Sequence, residues 1–181
     1  MRGGGSTGEH TDVRTTLDLR PTPFDHPLAL EMIDELQRFY QQRYGDEGDA
    51  TPVDTAEFAP PRGRFLIAWS DDEPVACGGW RARDGGDPAL RPGDAEIKRM
   101  YVREAHRGRG FARALLAGLE RSAAAAGRLR CVLETGTAQP EAIALYLSSG
   151  YERMPNFGTY RDYPNSRCFA KSIEPIGRSD H

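Results

Sequence analysis

The stretch REAHRGRGFARALL, residues 103–116, sets four arginines and a histidine beside two glycines and runs at once into an alanine and leucine segment. Glycines just ahead of a helix let a ligand approach bare backbone N–H groups, and the positive end of the helix attracts anions. Arg107 and Arg109 add charge-assisted donors that suit phosphate oxygens. The chemistry implied is a pyrophosphate cradle. Neither G-x-x-x-x-G-K-[ST] nor G-x-G-x-x-G fits the register of Gly108 and Gly110, so the nucleoside triphosphate and dinucleotide versions of such a turn are set aside. The chain as a whole carries 24 Lys+Arg against 27 Asp+Glu, a net charge of -3, so this basic patch is local. A nucleic-acid partner is not expected, because it would call for a broad basic surface.

The elements that must position this turn follow from periodicity. The 181 residues are 38% hydrophobic and 28% charged, which suits one globular domain. We expect a disordered tail over residues 1–11, a single domain over 12–176 and a short tail over 177–181. A short strand is predicted from Val13, then an amphipathic helix carrying Leu28, Met32, Ile33, Leu36, Phe39 and Tyr40, stopped by Gly45. Residues 45–62 read as a long acidic loop with one helical turn at most. Two apolar strands around the acidic turn at residues 70–74 form a hairpin. From Ala95 strand and helix alternate: strand 95–102, helix 109–126, strand 129–135, helix 140–149 and a last strand in SRCFAKSI. The fold class is α/β, with a mixed, mostly antiparallel central sheet flanked by helices. Cys77, Cys131 and Cys168 lack the paired spacing of a zinc site and are expected as reduced core residues, with no metal. No apolar run is long enough to span a bilayer and the amino terminus lacks the apolar core of a signal peptide, so no membrane partner and a cytoplasmic location are expected.

The segment resembles the GCN5-related N-acetyltransferase (GNAT) superfamily. RGRGFA, from Arg107 through Gly108, Arg109, Gly110 and Phe111 to Ala112, is similar to that family's acyl-CoA signature. The preceding Met100, Tyr101 and Val102 resemble its cofactor-lining strand. In QPEAIALYLSSGY, Gln139, Ala142, the Leu145-Tyr146 pair and the Gly150-Tyr151 pair resemble its second motif. Gln139 stands where the family often has Asn. The resemblance implies acetyl-CoA as cofactor, its pyrophosphate on residues 107–112 and its pantetheine arm paired with main-chain groups of Met100 and Val102 like an added strand.

It also implies direct acetyl transfer to an amine, which needs a base and an acid. Tyr146 matches the tyrosine that protonates the departing thiolate, and a phenol starts protonated at neutral pH; packing of the helix on the sheet is the alternative. Glu96 resembles the strand glutamate that acts as base in some relatives, with a salt bridge to Lys98 or Arg99 as the alternative. From Val102 back to Glu96 the strand covers roughly 20 Å, of the order of the pantetheine arm. Glu134 is the rival carboxylate, as base or as a structural partner. His106 reads as a contact of the phosphate loop. Phe157, Tyr160 and Tyr163 either line an acceptor pocket or anchor their loop; with the acidic 45–62 loop they point to a cationic acceptor. A small-molecule amine is the expected partner, with a protein lysine or N-terminal amine, or acyl-CoA sensing without turnover, as alternatives. Relatives that pair imply a homodimer.

Overall fold

The computed structural model describes residues 16–45 and 48–175. Both expected tails, and the start of the first expected strand at Val13, lie outside the described residues. Alternating exposure begins with strand β1 (Asp18–Pro21), and helix α1 (Pro27–Tyr44) follows. Pro27 sits at the helix start, where its missing N–H costs nothing, and the His26 Nδ1 accepts from the Leu28 N–H at 3.1 Å. A 3-10 turn at Thr55–Phe58 is the one helical turn of the acidic loop. Strands β2 (Gly63–Ser70) and β3 (Glu73–Arg83) form the hairpin, and β4 (Asp94–Val102) pairs beside it. Then come a 3-10 turn at Glu104–His106, helix α2 (Phe111–Ala125), β5 (Arg130–Gly136), α3 (Pro140–Ser148), β6 (Glu152–Met154) and β7 (Ser166–Ser172).

Among the described residues seven strands form one sheet in the order β1-β2-β3-β4-β5-β7-β6, with only β4 and β5 parallel. The expected mixed, mostly antiparallel sheet flanked by helices is therefore present. One face carries α2, whose Phe111, Leu115, Leu116, Leu119 and Ala123 bury against Leu66, Ala76, Trp80 and Ile97. The Trp80 indole N–H donates to the Ser122 hydroxyl at 2.9 Å, so the largest core side chain has its polar atom satisfied. The other face carries α1, where Ala29 and Met32 cover Phe65, Ile67 and Cys77. All three cysteines are buried and free, as the sequence suggested.

Two irregularities in β4 matter. Gly79 faces Lys98 and Cys77 faces Tyr101, so Gly78 alone opposes both Arg99 and Met100. This is a β-bulge, with Arg99 in the left-handed region at φ 59°. Gly78 permits it: a Cβ there would lie 2.9 Å from the Met100 Cγ and 3.2 Å from the Leu119 Cδ1. On its other side β4 pairs β5 only at Asp94, Ala95 and Glu96. Beyond that point β5 follows β7 along its whole length, and the two parallel strands part. Strand β6 was not foreseen; three residues are too few for an alternation pattern.

Candidate active site

A cleft of about 430 Å³ opens where β4 and β5 part. Its walls are β4 from Ile97 to Val102, Leu133 and Glu134 of β5, the start of α2, and Gln139, Ala142 and Tyr146 on and before α3, with Phe39 and Tyr40 of α1 closing it. The β5-facing edge of β4 is thus bare backbone along the cleft.

At one end lies the basic turn. Gly108 and Gly110 hold φ of 75° and 79°, the left-handed region in which glycine is favoured. Gly110 ends the turn and caps α2, which therefore starts at Phe111 rather than at Arg109. Among the described residues the backbone N–H groups of residues 108–113 have no acceptor. A Cβ at either glycine would meet nothing within 4 Å, so this row of donors is open to a ligand. Arg107 donates from Nε to the Val102 carbonyl at 3.1 Å with its guanidinium 4.8 Å from the Phe39 ring, which fixes it beside the row. Arg109 lies 4.7 Å over the Phe111 ring, next to His106. Arg103 turns away to Glu31 and Glu35 and ties the loop to α1, while Arg113 lines the cleft and bonds the hydroxyls of Ser148 and Ser149.

The other end is polar and partly buried. Burial pushes the Glu134 carboxyl up to about 7, against the opposing pull of Lys98 and with support from Asp49 and Glu96. Asp49 reaches in from the 45–62 loop and pairs with Lys98 at 3.2 Å and with the Arg99 guanidinium. Lys98 and Arg99 hold its carboxyl down at about 2 despite its burial. Its segment is pinned on both sides: the Gln37 amide bonds its backbone, and the Ala50 N–H donates to the Tyr160 hydroxyl at 2.7 Å. Between the two ends the buried Tyr146 faces the cleft, its hydroxyl pushed up to about 12 by burial.

The model of the Acetyltransferase (GNAT) family matches residues 29–151, a span that holds the cleft and both of its ends. The chain belongs to the GNAT acetyltransferase family. It is 34% identical over 145 residues to an IAA acetyltransferase of Azospirillum brasilense, covering 80% of this chain and 90% of that one. Among solved structures it resembles a Klebsiella pneumoniae protein assigned as an acyl-CoA N-acyltransferase, with 26% identity, a TM-score of 0.73, and coverage of 88% of this chain and 99% of that one. The PaiA N-acetyltransferase of Thermoplasma acidophilum, solved with coenzyme A, shares the fold at 14% identity and a TM-score of 0.60, covering 87% of this chain and 99% of that one.

Within this GNAT cleft the structure brings together Met100, Tyr101, Val102, Arg107, Gly108, Gly110, Phe111, Ala112, Gln139, Ala142, Tyr146 and Glu134. Gln139 donates to the Tyr44 hydroxyl at 2.8 Å, which ties α1 to the start of α3. Tyr146 also packs on Tyr151 and Phe169, so it is at once core and cleft wall.

Several candidates fall outside the cleft wall: Glu96, Arg109, Phe157, Tyr160 and Tyr163. Glu96 is not part of the cleft wall: its carboxylate is buried and paired with Arg81 at 2.9 Å and Arg83 at 2.7 Å. The expected partners Lys98 and Arg99 give way to these because β3 places Arg81 directly opposite Glu96; Lys98 stands off at 3.9 Å. Phe157 is 1% exposed in a small core with Val132, Met154 and Cys168, so it supports the loop and lines nothing. Tyr160 anchors the Asp49 segment, and Tyr163 packs edge-on against it. Among the described residues of the acidic 45–62 loop, Asp49, Asp54 and Glu57 are engaged with Lys98 and Arg99, the 3-10 turn and Arg81. The reading of the sequence missed Asp49, Lys98, Arg99 and Tyr40. The adjacent cations inside the strand EIKRMYV were the one available signal.

Proposed function

We propose that this protein moves the acetyl group of acetyl-CoA directly to a primary amine of a small molecule. The observation that carries the reading is one cleft with a row of unpaired N–H donors at one end and a carboxyl poised near neutrality at the other. The row, with Arg107 and Arg109, fits the pyrophosphate, and the bare edge of β4 at Met100 and Val102 fits the amide-bearing arm. When bound, acetyl-CoA supplies the acyl group as a thioester.

The chain's own groups do the rest. Glu134 takes a proton from the acceptor ammonium, since a base is most useful when it titrates near the working pH. The amine nitrogen then bonds to the acyl carbon as the carbon–sulfur bond breaks, and it sheds its second proton to solvent to leave the neutral amide. Tyr146, still protonated at neutral pH, gives its proton to the sulfur and is reprotonated from solvent. A covalent acyl-enzyme is disfavoured because burial raises the thiols of Cys77 and Cys131 to about 12 and that of Cys168 to about 11. The Asp49 segment, pinned across the acceptor end, narrows it to a chamber suited to a small molecule rather than a protein chain.

The test is release of the CoA thiol with a panel of small amines and a lysine peptide, with acetylation of the acceptor confirmed by mass. Turnover with small amines supports the reading. Binding of CoA without thiol release on any amine contradicts it.

A further inference from the structure

We propose that the acceptor carries a carboxylate as well as its amine, and that Lys98 and Arg99 take the carboxylate while Glu134 takes the amine. This rests on the acetyltransferase reading above. Lys98 and Arg99 line the cleft beside Glu134, yet their side chains are only 9% and 5% exposed. Buried cations need anionic partners. Here two cations share one carboxylate, Asp49. Their remaining contacts are the Thr51 carbonyl, 3.4 Å from Arg99, and Glu96, 3.9 Å from Lys98. Glu96 is already held by Arg81 and Arg83, so among the described residues Lys98 and Arg99 have one close carboxylate, Asp49, between them.

Two buried cations with one close carboxylate suit an acceptor that brings a second, an amino-acid-like molecule, over a polyamine, which brings only more positive charge. The bulge makes the arrangement possible, because at Arg99 the strand breaks its alternation and the adjacent Lys98 and Arg99 side chains both reach Asp49. Asp49 shows that the pair accepts a carboxylate. The Arg99 Nε makes no hydrogen bond among the described residues and is a further donor for a second one. Lys98 and Arg99 stand on β4 and Glu134 on β5, so an acceptor spanning the gap meets cations with one end and the base with the other.

The experiment compares amino acids with their decarboxylated amines, such as lysine with cadaverine and phenylalanine with phenethylamine, by thiol release. The expected kcat/KM is about ten- to a hundredfold higher for the amino acid of a pair, the usual worth of a charged hydrogen bond. In Arg99→Gln that preference should collapse through KM. Asp49→Asn frees the cations, so the ratio of the bare amine's KM to the amino acid's KM should rise above its wild-type value, whatever happens to the absolute rates. Equal turnover within each pair, or an unchanged or smaller KM ratio in Asp49→Asn, overturns the carboxylate assignment and leaves the acetyltransferase reading standing. No turnover on any acceptor removes both.

Discussion

Replacing Glu134 by Gln should do two opposite things, and together they separate a working base from a structural carboxylate. The Glu134 carboxyl titrates at about 7 rather than 4.5. At about 1.36 kcal/mol per pH unit, its ionised form costs the folded protein about 3 kcal/mol, and cleft water reduces this to about 2 kcal/mol. The folded state holds the proton more tightly than the unfolded chain, so stability falls as pH rises from 4.5 through 7, and the cost is fully present above 7. The amide of Glu134→Gln cannot ionise, so the variant should gain about 2 kcal/mol over wild type at about pH 8 and almost nothing at about pH 4.5. Urea unfolding at the two pH values measures it. Activity should move the other way, with kcat/KM near pH 7 down by about a hundredfold, or about 2.7 kcal/mol of barrier. The wild-type inflection near 7 should vanish, and the defect should shrink at high pH, where the amine loses its proton unaided. A variant that keeps the inflection and gains no stability in mild alkali refutes the reasoning.

Tyr146→Phe keeps the ring on Tyr151 and Phe169 and removes only the hydroxyl, so kcat should fall about tenfold or more with CoA affinity unchanged; wild-type kcat would make the residue core alone. Glu96→Gln strips Arg81 and Arg83 of their shared carboxylate and should destabilise by about 3 kcal/mol while keeping a pH inflection of kcat/KM, moved slightly down because Glu96 no longer helps raise the Glu134 carboxyl. Loss of that inflection with unfolding unchanged would return Glu96 to the chemistry. Gly78→Ala should cost about 1 to 3 kcal/mol by forcing Met100 and Leu119 aside at the bulge, and wild-type thermal stability would mean the bulge tolerates a side chain.

The basic turn was legible because its determinants are local. Gly108, Gly110 and the following apolar run specify a left-handed turn and a helix start within a few residues, and Tyr146 lies in a motif equally compact. The acceptor end was not, because three separate segments assemble it. Asp49 meets Lys98 and Arg99 from a loop far earlier in the chain, with no periodicity to announce the contact. Glu96 was recognised as a buried carboxylate that needs a partner. Choosing the partner required the register of β3, which puts Arg81 opposite it. Phe157 misled for a related reason: an aromatic in a turn-rich loop reads as a pocket wall until β6 and β7 are seen to close over it.

The central claim is that the open N–H row at the start of α2 holds the pyrophosphate of coenzyme A. Calorimetric titration of coenzyme A into wild type and Gly110→Asp tests it most directly. Asp is among the few side chains that tolerate the left-handed conformation, and a Cβ at this position meets nothing, so the variant should fold. Its carboxylate would sit among the donors, against the phosphates. The account predicts binding to wild type and an affinity about ten- to a hundredfold weaker in the variant, from like-charge repulsion and lost donors. Equal affinity in both proteins, or no binding to wild type, would contradict it.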